Sequence, residues 1–297
     1  MGRFETGERF VKNTPRLVYC GETLWRASLF GRPQRATQIR SHACRRAVQT
    51  GFLTKYGRGI NLVETINWRD RARKGFLGSG IDPADTKGRK NYYVDLLHKI
   101  ALQEVLDLRG DEVVLDFGCG SGRIAYWIAP KVKRVVGLEV TPEMIDLAER
   151  HRTAENVEFM VYDGIHFPVV QYPFDIILSV WVLQYVEGEK LKKTVFELAQ
   201  HLREGGKLYL IEQASDNPKV RRPRVDEYLQ AFKESKLECL RYYPIRNGRW
   251  FVLYLIRYGL IPKNWLPQIA RHELSKRRGE SGRIHVYKDF LFLLKKE

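Results

Sequence analysis

The residues from Val114 to Arg123, Val-Leu-Asp-Phe-Gly-Cys-Gly-Ser-Gly-Arg, follow a short apolar run with glycines at 118, 120 and 122. Glycines at this spacing let a strand turn sharply into a helix, and they leave room for a ligand to approach main-chain amides at the positive helix end. The pattern is GxGxG, whereas the dinucleotide fingerprint is GxGxxG. A pyrophosphate favours uncluttered amides, so Asp116, two residues before the first glycine, suits a cationic ligand better. Glu139 lies 21 residues after Gly118. Open α/β folds place a ribose-binding carboxylate at an offset of about 20. Asp163 and Gly164 follow a third apolar run, where a carboxylate can accept from an exocyclic amino group. Three acids thus fall at the carboxyl ends of three successive expected strands, the edge at which open α/β sheets bind ligands.

The elements that would hold these residues alternate. The spacing predicts an amphipathic helix over 91–108, with Tyr93, Val94, Leu97, Ile100, Ala101, Leu102 and Val105 on one face. Strands are expected at 113–117, 134–140, 157–161, 174–178 and 207–212, with helices at 123–132, 142–151 and 189–202 between them. Thr141 before Pro142 reads as an N-cap with proline in the first turn, and Gly205-Gly206 as a turn. Beyond these, 225–234 reads as helical, 237–243 as extended and 286–294 as a last strand. Short runs alternating with helices indicate a parallel sheet with crossover helices. Residues 1–60 show no clean period, and short elements or partial disorder are expected there.

From Lys90 to Glu212 the chain resembles the class I S-adenosylmethionine-dependent methyltransferases, with a type 11/25-like core. That cofactor carries a sulfonium and an ammonium, which matches a loop suited to a cation. The resemblance implies an α/β fold: a Rossmann-like, seven-stranded, mostly parallel sheet with helices on both faces. It would span 90–297, after a basic N-terminal extension (1–89) and with a helical insert (about 247–284) before the last strand. It also implies that Asp116, Phe117, Gly118, Cys119, Gly120 and Gly122 hold the methionine end of the cofactor, Glu139 the ribose, and Asp163 with Gly164 the adenine. Phe174 to Tyr185 resembles the fourth-strand motif, whose far end faces the transferable methyl group; Ser179 is assigned there to the cofactor and Trp181 to the acceptor. Leu202-Arg-Glu-Gly-Gly206 resembles the family's Lys-Pro-Gly-Gly turn, with Glu204 in place of the proline.

Methyl transfer from a sulfonium is an in-line displacement in which positioning dominates. A hydroxyl acceptor also benefits from a base. By position the candidates are His166, Gln184 and Tyr185, of which Gln184 can only orient; many relatives have histidine where this chain has Gln184. There is no Asn-Pro-Pro-Tyr or Asp-Pro-Pro-Tyr run of the amino-methylating nucleic-acid enzymes and no Pro-Cys pair of the cytosine-C5 enzymes, and Cys119, inside the glycine loop, is not read as a nucleophile.

Four cysteines without a CxxC pair suggest neither a zinc site nor a disulfide framework, and no metal is expected. No apolar stretch has the length of a membrane span, and the N-terminus lacks the apolar core of a secretory signal. The first 60 residues hold 12 basic and 3 acidic residues, which fits an organelle transit peptide except for Glu5 and Glu8; a cytoplasmic location, with peripheral membrane contact as a variant, is the main expectation. The net charge of +16 divides unevenly: residues 1–100 carry +12, 101–216 carry −7 and 217–297 carry +11. Anionic partners are therefore expected at the flanks. The insert is apolar and aromatic from Trp250 to Trp265, with Arg246, Arg249 and Arg257 beside it as acceptor-binding candidates. The leading expectation is methyl transfer to a small-molecule or lipid-linked, anionic acceptor. The alternatives are an RNA methyltransferase that binds phosphates with its basic flanks, and a non-catalytic methyltransferase-like scaffold.

Overall fold

The computed structural model describes residues 66–168 and 173–297, together with two short strands, β1 (Val18–Cys20) and β2 (Thr23–Trp25), paired antiparallel. The chain divides into two compact units, Met1–Gly57 and Arg58–Glu297. Apart from β1 and β2, the sequence reading of residues 1–60 lies outside the described residues.

The second unit carries seven strands: β3 (Val113–Phe117), β4 (Arg134–Glu139), β5 (Val157–Val161), β6 (Phe174–Val180), β7 (Leu202–Ala214), β8 (Leu237–Asn247) and β9 (Lys288–Lys296). Their order in the sheet is β5-β4-β3-β6-β7-β9-β8. Neighbours from β5 to β7 run parallel, and β9 is antiparallel to both β7 and β8. The helices are α1 (Trp68–Ala72), α2 (Arg89–Gln103), α3 (Arg123–Ile128), α4 (Pro142–Arg150), α5 (Glu189–His201), α6 (Val225–Glu234), α7 (Phe251–Tyr258) and α8 (Leu266–Arg277). This is the Rossmann-like α/β fold expected from the sequence.

Strand alternation sends successive side chains into two cores. Tyr209 and Ile211 of β7 join α2, α3, α7 and α8 on one face, whereas Leu208 and Leu210 join α5 and α6 on the other. On β3, Val114 belongs to the first core, and Leu115 and Phe117 to the second. By the same alternation Asp116 faces α3, which explains how an acid lies buried in the central strand beside a helix N-terminus.

Several boundaries differ from the expectation. Helix α2 ends at Gln103, and Val105, Leu106 and Leu108 beyond it pack against the core. Helix α3 stops at Ile128, where Pro130 follows in a single 3₁₀ turn. Strand β7 starts at Leu202: its pairing with β6 jumps from Phe174–Leu202 to Ile176–Lys207, so the expected glycine turn is a bulge within the strand. Gly205 has φ +69°, and a Cβ on Gly206 would lie 2.8 Å from the Arg203 carbonyl oxygen. The insert forms α7, a 3₁₀ turn at Lys263–Trp265 and α8, and both helices pack on α2. The compact unit begins ahead of residue 90, and residues 66–88 cover the carboxyl end of the sheet.

Candidate functional site

A pocket opens where β3, β4, β5 and β6 end. Its floor is the glycine loop at Gly118, Cys119 and Gly120; Glu139, Val140 and Met144 form one wall, and Val180, Trp181 and Val182 the other. A Cβ on Gly118 would meet Val182 at 2.3 Å, and Gly118 has φ +69°, so only glycine fits there. The middle glycine, Gly120, also has a left-handed φ of +53° but faces open space, which leaves its main chain accessible to a ligand. Gly122 has a packing role, since a Cβ there would press on Phe159 and Tyr126.

Glu139 is buried and lines the pocket. Its carboxylate accepts from the Gly120 amide at 3.1 Å and from the Val140 and Thr141 amides at 2.9 Å each. Burial pushes its pKa up while those amides pull it down. Thr141 is the N-cap of α4 but makes no side-chain capping bond. Asp116 sits beneath the loop and accepts from the Ala125 amide at 3.0 Å. Burial pushes its carboxyl up to about 7, against the opposing charge of Arg123. Arg123 lines the pocket and is anchored to Asp95 at 3.1 Å. Burial raises the Cys119 thiol well above its usual range, which removes it as a nucleophile.

Other candidates lie apart from this pocket. Phe117 faces the second core and stacks on Phe167, with ring centroids 5.7 Å apart. Asp163 accepts from the Ile165 and His166 amides and pairs with His166 Nδ1 at 2.7 Å, closing its own loop. The His166 side chain is 81% exposed on that loop, and Gly164 borders a different groove beside α5. Ser179 donates to Glu212 at 3.2 Å in the core. Gln184 is buried: its amide donates to Glu212, and its side-chain oxygen accepts from the Gln213 amide. Of the three base candidates, only Tyr185 lines the pocket, and burial raises its phenol pKa.

The three arginine candidates do not converge. Arg246 is buried, with Asp289 accepting from its Nε at 2.7 Å and from its second guanidinium nitrogen at 3.2 Å. It lies behind Trp181, 5.4 Å from the ring centroid, with no rim to serve. The rim reading missed this because a lone acid on the last strand gives no sequence sign of its partner. Arg257 ties α7 to Asp82 and to the Ala84 carbonyl, and Arg249 is exposed near the start of α7.

Trp181 lines the pocket with a φ of +64°, in the left-handed region that a bulky residue avoids. The conformation is held by its own amide, which donates to the Ile211 carbonyl at 2.8 Å, and by Glu212, which accepts from the Val182 and Gln184 amides. His98 packs edge-on against the indole at 4.9 Å, and burial lowers its pKa to about 4, so the ring is neutral.

Further pocket residues come from segments where sequence periodicity is silent. Trp68 of α1 and Gly80 line the pocket; Trp68 meets Tyr185 edge-to-face at 5.6 Å. The cover is fastened where Ser121 Oγ donates to the Phe76 carbonyl at 2.6 Å and Arg69 pairs with Glu143 at 2.7 Å. Arg222 lies over the Tyr185 ring at 4.9 Å, and Arg71 lies over Trp68 at 5.6 Å. Tyr162, at the end of β5, completes the lining. A preceding aromatic at a predicted strand end was the available signal for Tyr162; the others had none.

A glycine loop at a helix N-terminus and a buried acid closing the next strand define a nucleotide-type cofactor site at the carboxyl edge of an open α/β sheet. Residues 114–206 match a family model described as a methyltransferase domain. An uncharacterized methyltransferase of Anoxybacillus flavithermus is 28% identical over 135 residues, covering 44% of this chain and 61% of that protein. An uncharacterized RNA methyltransferase of Clostridium tetani is 41% identical over 70 residues, 23% of this chain and 15% of that protein. The match therefore spans less than two thirds of either relative. Among solved structures, the geranyl diphosphate C-methyltransferase of Streptomyces coelicolor, crystallised with Mg2+, geranyl diphosphate and S-adenosyl-L-homocysteine, aligns with a TM-score of 0.53 at 15% identity, covering 79% of this chain and all of that one. Residues 114–206 thus form a methyltransferase domain, and the fold around them is the one seen in S-adenosylmethionine-dependent methyltransferases. Among the described residues, no cluster of three or more His, Cys, Asp or Glu side chains is placed to hold a metal ion.

Proposed function

We propose that this chain transfers a methyl group from S-adenosylmethionine to a small-molecule or lipid-linked, anionic acceptor. The observation that carries the reading is the junction of Gly120, open to the pocket, with the buried Glu139 carboxylate that its amide touches. The residues fit the cofactor: open main chain at the loop, a carboxylate for ribose hydroxyls, an acid beneath the loop to favour a cation, and apolar walls from Val140, Met144 and Val182. The cofactor supplies an activated methyl group on a sulfonium. The chain's own part is to align and to exclude water. Trp181, held by Glu212, forms one wall of the acceptor space; Trp68 covers it, and Tyr185 is positioned to orient an acceptor hydroxyl or take its proton. Arg71 and Arg222, one from each basic flank, bracket the Trp68–Tyr185 pair and supply the attraction for an anionic group.

The test is mass spectrometry of cell extracts incubated with purified protein and isotope-labelled cofactor. A labelled small molecule or lipid is the expected product. The basic flanks and the Clostridium tetani relative's name favour a second reading, an RNA acceptor. Label recovered in RNA, with binding that collapses between low and physiological salt, would establish that reading in place of the first.

A further inference from the structure

The outward face of the insert is not used by the pocket. Phe251, Tyr254 and Tyr258 recur at helical spacing along α7, and with Leu260 and Trp265 they stand between 56 and 71% exposed. Single exposed apolar residues are ordinary, but five large ones within residues 251–265 call for a partner. The opposite face of α7 is already spent, with Leu253 and Ile256 buried in the core. The element is also rigidly placed: Arg89 donates to the Ile256 carbonyl at 3.3 Å and to the Ile261 carbonyl, and Arg257 pairs with Asp82 at 3.5 Å.

Charge identifies the partner. Residues 247–278 contain seven Lys or Arg, and their one acid, Glu273, is buried and accepts from the Tyr93 hydroxyl at 2.7 Å. Arg249, Lys263, Arg271 and Lys276 are exposed. A second copy meeting this face across a two-fold axis would bring like charges together. RNA would engage the cations and stack on the exposed rings but leave Leu260 in water, since an aliphatic side chain offers no stacking surface. An anionic bilayer satisfies both halves, with aromatic and aliphatic groups at the headgroup–acyl boundary and cations at the headgroups.

We propose that the face formed by α7 and the following turn docks the protein on anionic lipid membranes, without insertion across them. The inference stands independently of the cofactor reading.

The experiment is co-sedimentation of the full chain with phosphatidylcholine vesicles, with and without phosphatidylserine. The wild type is expected to sediment with the anionic vesicles and to remain in solution with the neutral ones. Phe251→Ser combined with Tyr258→Ser and Leu260→Ser should weaken that partition by roughly tenfold or more. Lys263→Gln with Arg271→Gln should weaken it at physiological salt and less at low salt. Titration of each variant with S-adenosylmethionine should match the wild type, which also shows that each is folded. Wild type that ignores anionic vesicles, or a triple variant that binds them undiminished, overturns the proposal. So does a wild-type dimer in solution that the triple variant converts to a monomer, since the face would then be a subunit interface. Vesicle binding by a wild type that fails to bind S-adenosylmethionine would uphold this docking surface and sink the cofactor reading instead.

Discussion

Two carboxylates divide the work of the proposed cofactor site. Glu139 takes three amide hydrogen bonds and lines the pocket, so its carboxyl group is oriented before a ligand arrives. Glu139→Gln keeps the shape but loses the charge, and should weaken S-adenosylmethionine binding by about 1.5–3 kcal/mol, the scale of a charge-assisted hydrogen bond. Calorimetric titration checks this, with an unchanged circular dichroism spectrum as the fold control. Asp116 acts from beneath the loop, and its carboxyl, raised by burial to about 7, is only partly ionised near neutrality. A cationic ligand favours the ionised form. Affinity should therefore rise as pH increases through about 7 and fall below it, and Asp116→Asn should flatten that part of the profile relative to wild type. Both acids were legible in the sequence from their spacing to the glycines. Asp163 was legible as a residue, but its carboxylate is taken up by the amides of its own loop, a local competition that strand counting does not register.

At the scale of elements, the turn after β6 depends on a residue in β7. Glu212 is fully buried and accepts from Ser179, Val182 and Gln184, which fixes Trp181 in its left-handed conformation at the pocket wall. Glu212→Leu would leave two amides without their acceptor, at a cost of roughly 1–3 kcal/mol each. A scanning-calorimetry Tm several degrees below wild type is expected, with Glu212→Gln between the two because it keeps one acceptor oxygen. The Arg246–Asp289 pair joins β8 to β9 in the same interior. Arg246→Ala strands a buried carboxylate and should destabilise by about 3–5 kcal/mol, whereas Arg249→Ala, at an exposed position, should leave Tm within about a degree. Denaturation of the two variants side by side separates a structural arginine from a surface one. The strands and crossover helices were readable because their burial follows simple periods. The cover at 66–88, Glu212 and the Arg246 pair were not, because each depends on contacts between segments far apart in the chain.

At the scale of the molecule, the acidic middle third supplies the glycine loop, and Trp68 and Gly80 from the basic N-terminal part line the same pocket. Arg71, over Trp68, and Arg222, over Tyr185, come one from each basic flank. The sheet order, with β9 inserted antiparallel between β7 and β8, was beyond what periodicity can give, since hydrophobic pattern fixes faces and leaves strand order open. Everything proposed about the acceptor rests on which cofactor the glycine loop takes. Isothermal titration calorimetry of the full chain with S-adenosylmethionine, S-adenosylhomocysteine and NAD tests that directly. Binding of the first two and no heat with NAD are expected; saturable binding of NAD with no response to S-adenosylmethionine would contradict methyl transfer from this loop.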